Sequence, residues 1–453
     1  MSAAIDAACR GLSEDLPGLV SLPGNDRYAA ATSIWAKQVG VTPGAVVHCR
    51  TAEDVQAAIR SARERELPLS VRGGGHDWAG RALCEGVVLD LSGMRSVVLG
   101  ADGRSATVAG GARAADVTAV TDPFRLAVVA GSVSSVGIAG LTLGGGYGPL
   151  IGRFGLAIDN MLAAEIVLAD GRIVHADGES NADLFWALRG GGGNFGVVTA
   201  MRHRVHELPS VHSGMLVYSF SEARAVLERC SALMASAPDE LTVQHTLIAD
   251  PSGAVVVLVI PTWSGRPEEG EARLQPFAKL GTLLAGGIER QSYAALLGMF
   301  DPYIVNGLQT VMDSCWLPAL DRDAIDVFIH AMENTVSPGC AIITHEFRGA
   351  ASRVAKNATA FGLRRDHLLV EILASFPDRS DASDEPRHRH WARTTRERFV
   401  SALPGGYPNF LARDELDRAG QSYGGNAGRL IEIKRRYDPD NVFASAIPLP
   451  RSA

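Results

Sequence analysis

The chain has 453 residues, 46% of them hydrophobic, and carries 43 Lys+Arg against 50 Asp+Glu for a net charge of −7. That length calls for two or three domains rather than one simple core, enough to enclose a cofactor and a substrate. The acidic balance, with no Lys/Arg block, argues against nucleic acid as a partner, because phosphate binding needs a basic surplus or patch. No apolar run reaches the roughly 20 residues that span a bilayer, so no membrane partner is expected. Cys9, Cys49, Cys84, Cys230, Cys315 and Cys340 are scattered without metal-ligand spacing. They read as thiols of a reducing compartment, and no metal site is expected. The first dozen residues lack the unbroken apolar core of a signal peptide, which makes a cytoplasmic protein the expectation.

Residues 1–41 read as helical. After Pro43-Gly44 a short strand at 45–49, a helix with Thr51 as N-cap and a strand at 67–71 make a β-α-β start. The last strand runs into Arg72-Gly73-Gly74-Gly75-His76-Asp77-Trp78-Ala79-Gly80. Three consecutive glycines remove every Cβ from a turn, so backbone N–H groups can close on an anion, and His76 stands where the chain leaves this cradle. Strands at 87–91 and 105–109 extend the sheet, and a short helix covers 112–120. A second glycine-rich stretch, residues 130–148, holds Gly131, Gly137, Gly140, Gly144, Gly145, Gly146 and Gly148. Such density is poor in a helix or strand, since each glycine forfeits about 1 kcal/mol relative to alanine. Backbone packed on backbone would explain one such pair; two tracts fit a flat, extended ligand better. A strand at 164–169, a hairpin turn at Asp170-Gly171 and a strand at 172–176 follow. A short amphipathic helix at 183–188 then enters Arg189-Gly190-Gly191-Gly192-Gly193-Asn194-Phe195-Gly196 and a strand at 197–201.

The texture changes near Pro209. Strands at 215–220, 241–248, 254–262, 341–347 and 368–376 alternate with amphipathic helices at 221–235 and 321–333. This reads as an antiparallel sheet backed by helices, a second domain that meets substrate. The tail carries Tyr423, Asn426 and a basic helix at 430–437 stopped by Asp438-Pro439. The boundaries read from this pattern are 1–208, 209–401 and a returning segment at 402–453.

Taken in order, the cradle from Arg72 to His76, Gly144 to Gly148, Asp159-Asn160, the run from Phe185 to Gly196, and Tyr423 to Asn426 with Tyr437 to Asn441 resemble one family over nearly the full length. It is the berberine-bridge-enzyme-like branch of the vanillyl-alcohol oxidase superfamily of flavin-linked oxidases. The resemblance implies an α+β, bilobed fold: an FAD domain of two α+β halves joined by the C-terminal tail, and an antiparallel-sheet substrate domain over the flavin ring. It also implies an FAD site made by Arg72, Gly73, Gly74, Gly75, His76, Asp77 and Gly80, by Gly131, Val136, Gly137, Gly140, Gly144, Gly145, Tyr147 and Gly148, by Asp159 and Asn160, by Gly193, Asn194, Gly196 and Val198, and by Tyr423 and Asn426.

In that family the cradle histidine, here His76, is bonded through its ring to the 8-methyl group of FAD. A second bond comes in many members from a cysteine in Gly-x-Cys-x-Thr-Val-Gly; here the run is Gly131-Ser132-Val133-Ser134-Ser135-Val136-Gly137, with Val133 at the cysteine position. A single covalent link is therefore implied, and the departure counts against the oligosaccharide oxidases, which typically carry both. Two residues before that position lies the family's oxygen gate, here Gly131, with no side chain to block O₂. The family's tail motif puts Tyr423 beside the ring. Glu371, an acid on an apolar strand, reads equally as a base or as a salt-bridged surface residue. His345 and Glu346 are weaker candidates, since strand alternation sends one of them outward. Tyr407 and Asn409 are candidates for the pocket wall.

The expected function is removal of hydride from a small amine, alcohol or natural-product intermediate with O₂ as acceptor. A dehydrogenase using another acceptor is one alternative, and a flavin-scaffold protein that sequesters a small molecule is another. The oligomeric state, homodimer included, is left open.

Overall fold

The computed structural model describes residues 3–37, 41–377, 384–413 and 415–450. Three large sheets and a two-stranded one, Leu126–Ala127 with His206–Glu207, organise them. The first is four-stranded, in the order Val20–Ser21, Ala45–His48, Val87–Asp90, Leu69–Arg72, and its last three strands are parallel. Helix Ala52–Glu64 covers it through Val55, Ala58, Ile59 and Ala62, which pack on Val47, Val87 and Leu89. Thr51 caps that helix by accepting from the Asp54 N–H at 3.2 Å, satisfying one of the orphan donors of the first turn.

The second sheet is five-stranded and antiparallel: Ile173–Asp177, Met161–Val167, Val197–Arg204, Ser105–Ala109, Val97–Leu99. The strand expected at 105–109 therefore does not extend the first sheet; it pairs with Val197–Arg204 instead. Gly171, at φ 80°, turns the hairpin between Met161–Val167 and Ile173–Asp177.

The third sheet has ten strands, and its main path runs Leu283–Gly286, Leu216–Ser219, Val255–Trp263, Leu241–Ala249, Cys340–Phe347, His367–Phe376, Leu308–Leu317, Ala36–Lys37. Helices Ala223–Met234, Arg322–Glu333 and Asp384–Glu397 lie on one face, their Leu227, Phe328 and Trp391 packed with Leu247, Val257, Ile342 and Ile372. By strand alternation the intervening residues, Thr246, Leu258, Ile343 and Glu371, point to the other face. That face looks onto the glycine-rich tracts.

The mixed α+β architecture is the expected one, with further corrections. The stretch 1–41 is not uniformly helical: it has helices Ala3–Asp15 and Asp26–Thr32 and two short strands, Val20–Ser21 and Ala36–Lys37, while residues 38–40 lie outside the described part. Strand Leu308–Leu317 and helix Asp384–Glu397 were not expected. Ala36–Lys37 leaves the first segment to pair in parallel with Leu308 and Gln309. Among the described residues no helix is long and apolar enough to cross a membrane, no group of side chains has metal-site geometry, and the six cysteines are free.

Candidate active site

Two glycine tracts meet at the base of a cavity of about 680 Å³, which lies within the ~300–1,000 Å³ typical of ligand sites. Strand Leu69–Arg72 delivers the cradle, and the turn is fixed from both ends. Arg72 is buried beneath it, donating to Asp90 Oδ1 at 2.8 Å, and the Asp77 carboxylate accepts from the Ala79 and Ala82 N–H groups at 3.1 and 2.7 Å. Gly75 takes φ 77°, a conformation that disfavours a side chain. His76 then faces the cavity. Its ring lies 5.3 Å from Trp35 and 6.0 Å from Trp78, and burial together with the Arg113 charge pushes its pKa down to about 4. A neutral imidazole keeps a lone pair on one ring nitrogen at neutral pH.

Gly137 sits back-to-back with Gly74. A Cβ on Gly74 would stand 2.5 Å from Gly137 Cα, and one on Gly137 would stand 2.6 Å from the Gly74 nitrogen. Part of the glycine content is thus spent on backbone packing, contrary to the expectation that a ligand accounts for it. Gly148 against the Ala130 carbonyl and Gly190 against Phe361 are further cases. Elsewhere the wall is open: a Cβ on Gly140 meets nothing within 4 Å, and one on Gly193 meets only the Gly196 carbonyl at 3.9 Å. Both line the cavity. A cradle bare of side chains, a neutral histidine facing it and a long pocket fit an extended dinucleotide cofactor.

The cavity wall brings together Gly73, Gly74, Gly75, His76, Asp77, Gly131, Val136, Gly137, Gly140, Tyr147, Gly193, Gly196 and Val198 on one side, with Glu371 across from them on the large sheet. Gly131 is not among the positive-φ glycines, so backbone strain does not require glycine there. Val133 also lines the cavity.

Other expected residues stand behind the wall. Asp159 holds Arg364 through two 2.8 Å contacts, and Asn160 bonds the Phe154 and Leu156 carbonyls and His206. Asn194 donates to the carbonyls of Gly191 and Ile447, tying the tail to the glycine run. Asn426 donates to the carbonyls of Lys356 and Thr359. Gly80 supplies a left-handed turn residue, φ 67°, whose carbonyl accepts from Arg413. Gly144 is pressed against Asn409 and Gly145 against Tyr407 and Phe361. Tyr423 is a correction: helix Leu416–Tyr423 turns it inward, fully buried, with its hydroxyl 3.4 Å from the Gly190 carbonyl and off the cavity wall.

The polar centre of the large sheet is Glu371 and His345. They pair across adjacent strands with Nε2 to Oε1 at 2.8 Å, and both line the cavity. Glu371 therefore has His345 as a partner across the strands but is not on a solvent face. Glu346, the next residue, accepts from the Val243 N–H at 3.0 Å, and burial pushes its carboxyl up to about 7. Tyr407 and Asn409 do line the cavity; the Tyr407 hydroxyl accepts from the Gly146 N–H at 2.9 Å and from Asn409 Nδ2 at 3.0 Å. Burial raises the Tyr407 phenol above its ordinary range, so it stays neutral. Tyr147 donates to His367 Nε2 at 2.6 Å. Sequence reasoning gave no role to Trp35, Trp78 or Arg113. Trp78 lies within the cradle tract itself and was the nearest to a readable signal; Trp35 and Arg113 come from distant segments.

These features define a protein that carries an extended cofactor over a glycine-lined base and faces it with a sheet. A family model described as FAD binding domain matches residues 43–177, and one described as berberine and berberine like matches residues 406–450. The chain belongs to the berberine-bridge-enzyme-like branch of the FAD-linked oxidoreductases, and it is an enzyme. It is 30% identical to the uncharacterised FAD-linked oxidoreductase YvdP of Bacillus subtilis, over 97% of this chain and 99% of that one. It is 27% identical to (R)-6-hydroxynicotine oxidase of Paenarthrobacter nicotinovorans, over 94% and 95%. A crystal structure of 6-hydroxy-D-nicotine oxidase from Arthrobacter nicotinovorans superposes with a TM-score of 0.86 at 26% identity, covering 96% of this chain and 98% of that chain.

Proposed function

We propose that the protein is an oxidase carrying FAD on a single covalent bond to His76, acting on a small amine, alcohol or natural-product intermediate with O₂ as acceptor. FAD, when bound, accepts hydride from carbon and passes the electrons to O₂, giving H₂O₂. The observation that carries the reading is that His76, Gly131 and Glu371 line one cavity.

Each residue has a distinct task. His76 is neutral and aimed at the cavity, which suits it to bond an electrophilic carbon of the cofactor; Val133, where a second link would need a thiol, cannot. Glu371, oriented by His345, takes the proton of the substrate O–H or N–H as the neighbouring C–H bond breaks. Tyr407 and Asn409 hold the backbone of the second glycine tract in place by direct hydrogen bonds to Gly146 and Gly140. Gly131 leaves that part of the wall without a side chain, so O₂ can reach it. The residues 209–401 and 402–453 serve as substrate domain and returning tail.

The test has three readings. Wild type should bleach anaerobically with substrate and regain its yellow colour in air with H₂O₂ formed. Acid precipitation should leave FAD on the polypeptide, and His76→Ala should release it. Gly131→Val, whose Cβ would stand 3.3 Å from Leu141, should bleach normally but regain colour slowly in air. Flavin released by acid from wild type would remove the covalent link; slow reoxidation of wild type would make the enzyme a dehydrogenase.

A further inference from the structure

Cross-strand register puts Val217 beside Leu258, Leu258 beside Thr246, Thr246 beside Ile343, and Ile343 beside Glu371. All five line the cavity, so they form one continuous row across five adjacent strands. At ~4.8 Å per strand that row is about 19 Å long. A second row, Val256, Ile248, Ala341 and Leu373, runs beside it and is apolar throughout.

The first row is polar at two places. Glu371 ends it, and Thr246 stands two strands away, about 10 Å along. Thr246 is 4% exposed, and its Oγ1 has no hydrogen-bond partner among the described residues. A buried hydroxyl left unpaired is unfavourable; among the described residues the Ser135, Thr142 and Ser314 hydroxyls are unpaired too, but of the four Thr246 alone lines the cavity, so a ligand group is its natural partner. Among the described residues the Lys/Arg content of the cavity wall is Arg81 alone, and its guanidinium is directed to the carbonyls of Asn409 and Leu411. An anion on this floor would be buried without a cation. A sugar chain would bring a hydroxyl on nearly every carbon to two rows in which, among the described residues, Thr246 and Glu371 alone are polar; Gln244 and His345 stand in the next row.

We propose that the substrate is an extended apolar molecule of fused-ring size without negative charge, with its oxidisable carbon at Glu371 and a second hydrogen-bonding substituent at Thr246. Only the placement of the oxidisable carbon rests on the oxidase reading; the binding pattern stands on the sheet itself.

Calorimetric titration of the purified flavoprotein separates the two. The probes are 2-naphthalenemethanol, 6-(hydroxymethyl)-2-naphthol, 6-(hydroxymethyl)-2-naphthoate and cellobiose. The naphthol should bind about 3- to 10-fold tighter than naphthalenemethanol, the gain expected of one neutral hydrogen bond. The naphthoate should bind about 10-fold or more weaker than the naphthol, as an anion buried without a cation should. Cellobiose should not bind. Thr246→Val should erase the advantage of the naphthol over naphthalenemethanol. The proposal is overturned if cellobiose or the naphthoate binds as tightly as the naphthol, if none of the probes binds, or if the advantage survives in Thr246→Val. Should that variant fail to fold, the wild-type ranking decides alone. The expected ranking without bleaching by any probe would uphold this proposal and count against the oxidase reading instead.

Discussion

Glu371 is buried at 4% exposure, and its partner is His345, so its position is set by the neighbouring strand rather than by solvent. If it takes the substrate proton, Glu371→Gln should slow anaerobic bleaching by roughly 10²-fold, as loss of a general base does. Tyr423→Phe should leave that rate unchanged, because the hydroxyl is bonded to the Gly190 carbonyl behind the wall. Stopped-flow bleaching of the two variants checks both; equal slowing would return Tyr423 to the site. At this scale the sequence was partly legible. His76 stood out because three glycines precede it, and Glu371 because an acid interrupts an apolar strand. The importance of His345 was hidden: alternation sends one of residues 345 and 346 to solvent only if the sheet has a solvent face. Here helices cover one face and the cavity covers the other, so both residues are enclosed. Tyr423 was misread because a motif position carries no information on which way a helix turns its side chain.

Between elements, the closest joint is the crossing of the cradle with the second glycine tract. Gly137→Ala would push a methyl to 2.6 Å from the Gly74 nitrogen, a backbone atom that cannot swing aside. The strain should lower stability by about 1–3 kcal/mol. Gly428→Ala is the control: it lies in helix Ala427–Tyr437, is exposed, and its Cβ would meet nothing within 4 Å. That change should be neutral or stabilise by about 0.5–1 kcal/mol. Denaturant melts of both variants check the pair; equal midpoints would remove the claim of close approach. Strands that form near-continuous apolar runs were legible, from Ala45–His48 to His367–Phe376. Strand Leu308–Leu317 was not, because Asp313 and Ser314 break its apolar pattern. Asp313 is tolerated there by Arg396 at 2.8 Å and Arg418 at 3.2 Å, both from helices far along the chain. Helix Asp384–Glu397 was missed because its buried stripe includes His388 and Thr395 alongside Trp391 and Ala392.

The whole molecule buries several histidines in neutral form. Burial lowers His203, His206 and His245 from 6.5 to about 4, and His367 to about 3. In the unfolded chain these rings take up a proton near pH 6.5, while the folded protein holds them neutral until about pH 4. Through that window the unfolded state binds more protons, so stability falls as pH drops. Tm should therefore decline from pH 7 to pH 4.5, and His203→Met should flatten the decline, since neither His203 ring nitrogen has a hydrogen-bond partner among the described residues. Thermal melts across that range check it; an unchanged slope in the variant would assign the pH dependence elsewhere. The mixed α+β fold was legible at this scale, but the contribution of the tail to the cavity was not. Phe443, Ser445, Ala446 and Ile447 are wall residues, and Ile447 is fastened to Asn194 at 2.9 Å. A ribosome releases a chain in order, so these residues emerge long after the cradle that they face. The cavity is whole only once translation has passed Ile447, so its wall cannot close around a flavin while the cradle alone has been made.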